Sequence, residues 1–470
     1  MIVMKFGGSS LESAEAIERV AAIVKDRVEQ NPVVVVSAMG KTTNALLDLA
    51  KEAVADRSDA PSQAEGHEPV ELGCDAPATV YQDRLGSLRE FHLQMAKALA
   101  PTRENLVTQI EAHFDELSQL LGGLAILGEL TPRSTDAILS YGERLSSLIV
   151  AAAFSESGIK ATHLDARGVI VTDSRHTQAT PDLPQTYRRL KETVIRKASD
   201  QVVVMGGFIA ASAQGVTTTL GRGGSDYSAA IVGAGIDAEE IQIWTDVDGM
   251  MTTDPRLIPH ARPVATISFS EAAELAYFGA KVLHPATVRP AIEKNIPVVI
   301  LNSRRPEAEG TRIVRSQIVS EGVVKALAFK RHITMLNIHS ARMFMAHGFL
   351  RRVFEVFDRH ETSIDMVTTS EVNVSVTLDD SKALKGIMAE LSEFSEVQVE
   401  EHLALVSAVG EGIGDKAGVA ARIFKALEHV NIRMISQGAS LLNLSMLIAE
   451  EDLESAMKAL HREWFEEVLV

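Results

Sequence analysis

Short apolar runs in this chain repeatedly break into glycine or small polar residues, and helical spacing then follows. Residues 2–6 read as a strand that ends in Gly7-Gly8-Ser9-Ser10. Ile17, Val20, Ala21, Val24 and Val28 then recur on one helix face, with Glu12 and Glu15 in the expected first turns, where acidic groups suit the helix dipole. Val33 to Val36 is a continuous apolar strand candidate, and Leu46, Leu47 and Leu49 mark the next helix. Such strand–loop–helix alternation specifies an α/β core. Further core elements are expected at Leu145 to Phe154, Val202 to Met205, Ile241 to Trp244 and Pro297 to Leu301. In open α/β sheets ligands sit beyond the strand ends, where residues 201–250 place glycines and charges.

The alternation carries to about residue 305, and the polar stretch 303–312 makes a plausible boundary. The chain has 470 residues, so two or three domains are expected. The remainder contains a repeat: Gly348, Arg352 and Phe354 are matched by Gly418, Arg422 and Phe424, each 70 positions on. Each copy reads as glycine, amphipathic helix, polar turn and strand. Val372, Val374, Val376 and Leu378 alternate with polar residues in one; Leu442, Leu444, Met446 and Ile448 keep the same register in the other. Two related α+β modules follow. Residues 56–78 are polar and read as an exposed excursion that holds Cys74, the chain's one cysteine. A lone cysteine excludes an intrachain disulfide and a cysteine metal cluster. The formal charge of -17 disfavours a binder of nucleic-acid backbone but leaves ATP open, since a nucleotide needs only a few local cations. No uninterrupted apolar run of membrane-spanning length and no secretory pattern is evident, so a cytoplasmic protein is expected.

Several loops carry candidate chemistry. Lys5 stands beside the Gly7-Gly8 turn, whose backbone donors can approach a phosphate without Cβ clashes. It is not a P-loop, and a solvated strand end explains it too. Gly221-Arg222-Gly223-Gly224-Ser225-Asp226 offers a guanidinium for a carboxylate and a carboxylate for an ammonium; Arg222 and Asp226 could equally pair with each other. Thr245, Asp246, Asp248, Thr252, Asp254 and Arg256 could surround phosphate, ribose or magnesium, or form successive turns. Trp244 reads as core. Lys281 is a second phosphate-binding candidate, whereas His284 reads as structural.

Taken in order, these blocks, together with Tyr141-Gly142-Glu143-Arg144-Leu145-Ser146, resemble the aspartate kinases of the amino-acid kinase family over nearly the whole chain. The resemblance implies a three-layer α/β/α kinase domain over 1–305. A linker and probable strand of the second module would follow at 312–330, then two ferredoxin-like ACT modules at 331–400 and 401–470. It implies ATP- and Mg2+-dependent phosphorylation of the L-aspartate side-chain carboxylate, at the head of lysine, threonine, methionine and diaminopimelate synthesis. By the same resemblance Lys5 and Lys281 stabilise the transferring and nucleotide phosphates, while Gly7, Gly8 and Gly224 let backbone approach; Ser9 joins the nucleotide turn. Arg222 takes the aspartate α-carboxylate, Glu143 and Asp226 the α-ammonium; Thr43 and Ser225 position it and Phe208 walls the pocket. Thr245, Asp246, Asp254 and Arg256 fall on the nucleotide side, and magnesium's protein ligands stay unassigned. Lys41 could reach a phosphate or face solvent.

The first small module resembles that of lysine-sensitive members. Met343, Gly348, Phe349, Leu350, Asp365, Thr369, Ser370 and Glu371 match a lysine pocket, with Asp365 and Glu371 facing ammonium and the Gly348 backbone facing carboxylate. Ala346 stands where relatives often carry a polar residue. Lysine is the first-choice effector and threonine the second. The resemblance also implies a homodimer through the ACT modules, or a tetramer. Another amino-acid kinase, or a sensing protein with a degenerate kinase domain, are the competing readings.

Overall fold

Ile2–Phe6 is the strand around which the larger sheet is ordered. In this computed structural model, which describes residues 1–55, 80–279, 283, 285–315, 322–340 and 347–466, it pairs in parallel with Val33–Val36 and with Glu240–Thr245. Val33–Val36 continues to Val202–Gly206 and then Ala161–Leu164, all parallel. Glu240–Thr245 continues to Val298–Asn302 in parallel, and Thr311–Val314 closes antiparallel on the latter. Ile2–Phe6 and Val33–Val36 are buried at every position because helices cover both faces. Ile2, Met4 and Phe6 share a core with helices Ala14–Lys25, Thr42–Ala55, Val80–Leu99, Glu104–Leu127 and Pro132–Glu156. Val3 faces the other way, toward helix Gly224–Gly235; there a Cβ on Gly233 would lie 2.6 Å from Ile241, so glycine permits that close approach. The result is the expected three-layer α/β/α arrangement.

Two local readings change. Ser13 caps the first helix by accepting from the Ala16 N–H at 3.2 Å, the helix ends at Lys25, and Val28 falls beyond it, 40% exposed. Helix Pro132–Glu156 begins with a Thr131/Ser134 capping box and is long and apolar enough, by length and composition, to cross a membrane. Its apolar window is 78% buried inside the fold, which makes it a core helix. The 56–78 excursion with Cys74 lies outside the described residues.

The chain forms two compact units: Met1–Gly249 with Leu283–Arg315, and Met250–Val282 with Ser316–Val470. This departs from a contiguous 1–305 domain. The segment after Gly249 is held by the second unit: the Leu327 N–H donates to the Thr252 carbonyl at 2.7 Å, Lys325 pairs with buried Glu271 at 3.1 Å, and the Asn443 amide donates to Glu274 at 2.6 Å.

The second unit is built on an antiparallel sheet ordered Met366–Thr369, Asn373–Leu378, Ala326–His339, Glu396–Val409, Asn443–Ala449, Ile432–Gln437. Its two 14-residue strands serve both modules. Residues 334–339 pair with Asn373–Leu378, whereas 326–330 pair with 405–409. A module boundary at 400/401 therefore falls inside a strand. Thr311–Val314, expected beside the second module, belongs to the larger sheet. Each half keeps its own core, one around helix Phe349–Arg359 and one around Val419–Ala426 and Leu453–Phe465. The repeat is physical: Gly348 and Gly418 precede their helices at φ 83° and 87°. Arg352 lies over the Phe394 ring at 4.2 Å, and Arg422 over the Trp464 ring at 4.0 Å. His332 and His402, with φ of 60° and 59°, extend the same correspondence.

Candidate active site

The parallel strands of the larger unit end in step: Phe6 is level with Val36 and Trp244, and Val36 with Gly206. Gly7, Ser37, Gly207 and Thr245 consequently emerge along one sheet edge, the position where α/β sheets bind ligands. Trp244 is fully buried and stacks on Phe6 with centroids 5.8 Å apart, so it is core, as its place on an apolar strand predicts.

Lys5 points from its strand to the start of helix Gly224–Gly235, where its Nζ lies 2.6 Å from Asp226 Oδ1; both side chains are largely buried. The alternative pairing of Arg222 with Asp226 is not the one formed. Arg222 is exposed and, among the described residues, in no ion pair, so its fork of donors remains available.

Glu143 is delivered to the same edge by helix Pro132–Glu156 and is 3% exposed. Its Oε1 accepts from the Ala38 N–H at 3.2 Å, while among the described residues its buried Oε2 has no hydrogen-bond partner. Burial pushes its carboxyl up to about 8, and the Ala38 N–H only partly opposes this. A buried acceptor left open is costly, so it marks a place built for a donor that arrives with a ligand.

Glycines bring these groups together. A Cβ on Gly142 would lie 2.8 Å from the Ala38 Cβ, one on Gly207 2.7 Å from the Ser225 Cβ, and one on Gly224 2.7 Å from the Phe208 ring. Phe208 takes a left-handed φ of 62°, held by its N–H donating to the Ser228 hydroxyl at 2.9 Å. Gly8 packs with the Gly40 and Ala38 carbonyls 2.9 and 3.0 Å from where its Cβ would be. Thr43 sits half-buried at the start of helix Thr42–Ala55, whereas Lys41 is exposed. The Thr245 hydroxyl donates to exposed Asp246 at 3.2 Å; Asp248 is engaged by Asn302 and Arg305.

Sequence reasoning missed two positioning residues. Ser303 ties the glycine turn to the neighbouring strand: its hydroxyl shares a 2.7 Å hydrogen bond with Ser10, and its N–H and hydroxyl donate to the Thr245 carbonyl at 2.8 and 3.1 Å. Asp136 is fully buried on the Glu143 helix. It accepts from the Thr219 hydroxyl at 2.5 Å, the Thr177 N–H at 3.0 Å and His176 Nδ1 at 2.7 Å, anchoring the strand that leads into Gly221. An aspartate seven residues before Glu143, two turns earlier on the same helix, was the available signal.

The remaining candidates divide. Asp254 and Arg256 belong to the second unit and grip each other, with Arg256 Nε 3.0 Å from Asp254 Oδ1 and Nη2 2.6 Å from Oδ2. Lys281, His284, Met343 and Ala346 lie outside the described residues. Gly348, Phe349 and Leu350 open helix Phe349–Arg359. Thr369 ends strand Met366–Thr369 at the far end from Asp365, with Ser370 and Glu371 just beyond it, and all three are exposed. The Asp365 side chain is 7% exposed and already matched: Lys330 Nζ approaches its Oδ1 at 3.1 Å and the Tyr277 hydroxyl donates to it at 3.2 Å, while among the described residues its Oδ2 has no hydrogen-bond partner. In one chain the two carboxylates thus stand at opposite ends of a strand and do not converge on a single ammonium.

The Amino acid kinase family matches residues 1–302, and an ACT domain family matches residues 406–464. The chain is 38% identical to chloroplastic aspartokinase 2 of Arabidopsis thaliana, over 99% of this chain and 84% of that protein. It is 36% identical to the lysine-sensitive aspartokinase 3 of Escherichia coli strain K12, over 99% of each. Its structure is similar to E. coli aspartokinase III in complex with lysine and aspartate in the T-state, with TM-score 0.81, 36% identity, and coverage of 99% of this chain and 100% of that chain. It is also similar to the Clostridium acetobutylicum aspartate kinase, with TM-score 0.81, 25% identity and the same coverage.

Proposed function

This chain belongs to the aspartokinase branch of the amino acid kinase family, and from that membership we propose how its residues divide the work. The enzyme transfers the γ-phosphoryl group of ATP to the side-chain carboxylate of L-aspartate, giving 4-phospho-L-aspartate and ADP, a step that feeds lysine, threonine and methionine synthesis. The observation that carries the division is the buried Oε2 of Glu143, open among the described residues, at the edge where the parallel strands end.

In this reading the aspartate α-ammonium donates to Glu143 Oε2 and to Asp226, and the α-carboxylate takes the Arg222 fork. Thr43 and Ser225 position the substrate, and Phe208 walls it. The reacting carboxylate has an unperturbed pKa of about 3.9, so it attacks without a general base. One of its oxygens bonds to the γ-phosphorus as the bond to the bridging β–γ oxygen breaks, and ADP leaves with that electron pair. Lys5 turns from Asp226 to the transferring phosphoryl oxygens as substrate ammonium takes over Asp226. Gly7, Gly8 and Ser9 admit the phosphates to the backbone, with Thr245 and Asp246 on the nucleotide side. Mg2+ bound with ATP would supply neutralisation of the phosphate charge. Asp246 suits it best at this edge, because Asp226 and Asp248 are already paired.

The second unit senses lysine. Support comes from the T-state relative, described as a complex with lysine and aspartate, and from Asp365, which already holds an ammonium group of Lys330. Leu350 and Phe354, 38% and 39% exposed and one turn apart, support a homodimer through these modules. A cytoplasmic location completes the reading.

Purified protein with ATP, magnesium and L-aspartate should yield acyl phosphate trapped by hydroxylamine. Turnover with glutamate but not aspartate would replace the substrate assignment. Separate titrations of lysine and threonine test the effector; inhibition by threonine alone would displace lysine.

A further inference from the structure

Outside the phosphoryl-transfer site, one group of side chains in the second unit has the composition of a metal centre. We propose that His260, His461 and Glu466 bind a transition-metal ion, with zinc ion the cation that two imidazoles and a carboxylate favour. Their ligand atoms all lie within 4.8 Å of one another. His260 Nε2 is 2.8 Å from Glu466 Oε1, and His461 Nδ1 is 3.4 Å from the same oxygen. Donors about 2.1 Å from a tetrahedral zinc ion stand about 3.4 Å apart, within the range these atoms span, so side-chain adjustment that opens the 2.8 Å pair and draws in the widest one admits the ion.

The surroundings fit a ligand set as well. His461 is 2% exposed, and its second ring nitrogen, Nε2, lies 3.2 Å from the Thr252 hydroxyl. With the proton on Nε2 donated to Thr252, Nδ1 presents its lone pair to the cluster, which is the orienting contact that metal-bound histidines use. Thr252 is itself fixed, since its hydroxyl accepts from the Arg262 N–H at 3.2 Å. Arg262 is the opposing charge, and its guanidinium is directed to the Phe465 carbonyl at 3.2 Å; the Glu466 carboxylate offsets it. His260 and Glu466 are exposed, so the ion has an entry path and a water can complete the coordination.

The three ligands come from two distant stretches of chain: the loop that follows Thr252 and the end of helix Leu453–Phe465. A bound ion therefore clasps these segments and stabilises the folded second unit. The same three groups without an ion form an ordinary hydrogen-bonded clasp, and the test separates the two.

Untagged full-length protein, stripped with chelator and dialysed, is titrated with zinc ion alone by calorimetry. One ion per chain and a rise in Tm are expected. His260→Ala and Glu466→Gln change exposed groups and should each weaken zinc binding by more than 10-fold, and Thr252→Val by about 10–100-fold. Cobalt ion substituted into the wild type should show visible bands of a four- or five-coordinate site, absent in His260→Ala. Wild-type protein that takes up no zinc, or His260→Ala and Glu466→Gln proteins that bind it as well as wild type, overturn the proposal.

Discussion

Burial holds the Glu143 carboxyl at about 8, so near neutral pH without aspartate it is mostly protonated. An incoming ammonium needs the carboxylate, and binding must therefore expel a proton. Aspartate KM should rise about tenfold per unit as pH falls below about 8, until substrate groups titrate. Glu143→Gln should flatten that dependence and raise KM about 10–100-fold, the value of about 1.5–3 kcal/mol for a hydrogen bond to a charged group. Stability follows the opposite sign. The folded state holds this proton up to about 8 while the unfolded chain loses it near 4.5, so the folded protein loses stability as pH rises through that window. Glu143→Gln should thus gain Tm over wild type progressively between those values, measurable by thermal melts without aspartate. Lys5→Met should act on a different parameter, lowering kcat by about 100-fold or more, because an electrostatic group aimed at the transferring phosphoryl is lost. Lys5 and Arg222 were legible in the sequence because glycine turns flank them, and Glu143 through the resemblance of the Tyr141–Ser146 block. That Lys5, and not Arg222, neutralises Asp226 was not legible, since it depends on a helix and a strand more than 200 residues apart in the chain coming within 2.6 Å.

Elements set the site by how closely they can approach. Gly207 lets the turn after Val202–Gly206 lie against Ser225, and an added Cβ would stand 2.7 Å from its Cβ and 2.8 Å from its Cα. Backbone cannot yield as a side-chain tip can, so Gly207→Ala should cost about 1–3 kcal/mol and raise aspartate KM together with it. Calorimetric unfolding and steady-state kinetics on the same preparation check both. Asp136→Asn tests the second support. It should lower stability by about 1.5–3 kcal/mol through its hydrogen bonds to Thr219, Thr177 and His176, and weaken aspartate binding without touching substrate. The elements themselves were largely readable: the parallel strands follow the apolar runs, and Gly348 and Gly418 start the repeated helices. What periodicity does not report is a shared strand. Ala326–His339 and Glu396–Val409 pair with each other along nearly their whole length, while their outer neighbours each cover only part of it, 334–339 and 403–409, so modules drawn as successive segments are in fact interleaved.

At the scale of the molecule, the proposed lysine control is a statement about linkage. If lysine binds the folded second unit, then at 100 times its Kd it should stabilise that unit by about 2.7 kcal/mol. Asp365→Asn should remove both this shift and inhibition while aspartate turnover persists. Sedimentation with and without lysine reports whether the Leu350 and Phe354 surface pairs with a second copy. From its sequence alone, this chain determined its α/β class, its glycine-edged site and its duplicated tail, because hydrophobic periodicity, turn chemistry and repeats are local in the chain. Tertiary structure decided the rest. It left Glu143 Oε2 open, gave Asp226 to Lys5, satisfied Asp365 with Lys330, and assigned Met250–Val282 to the second unit. Each of these depends on which distant groups meet in a buried place, where an unmatched charge or polar atom is most costly, and spacing along the chain carries no record of that.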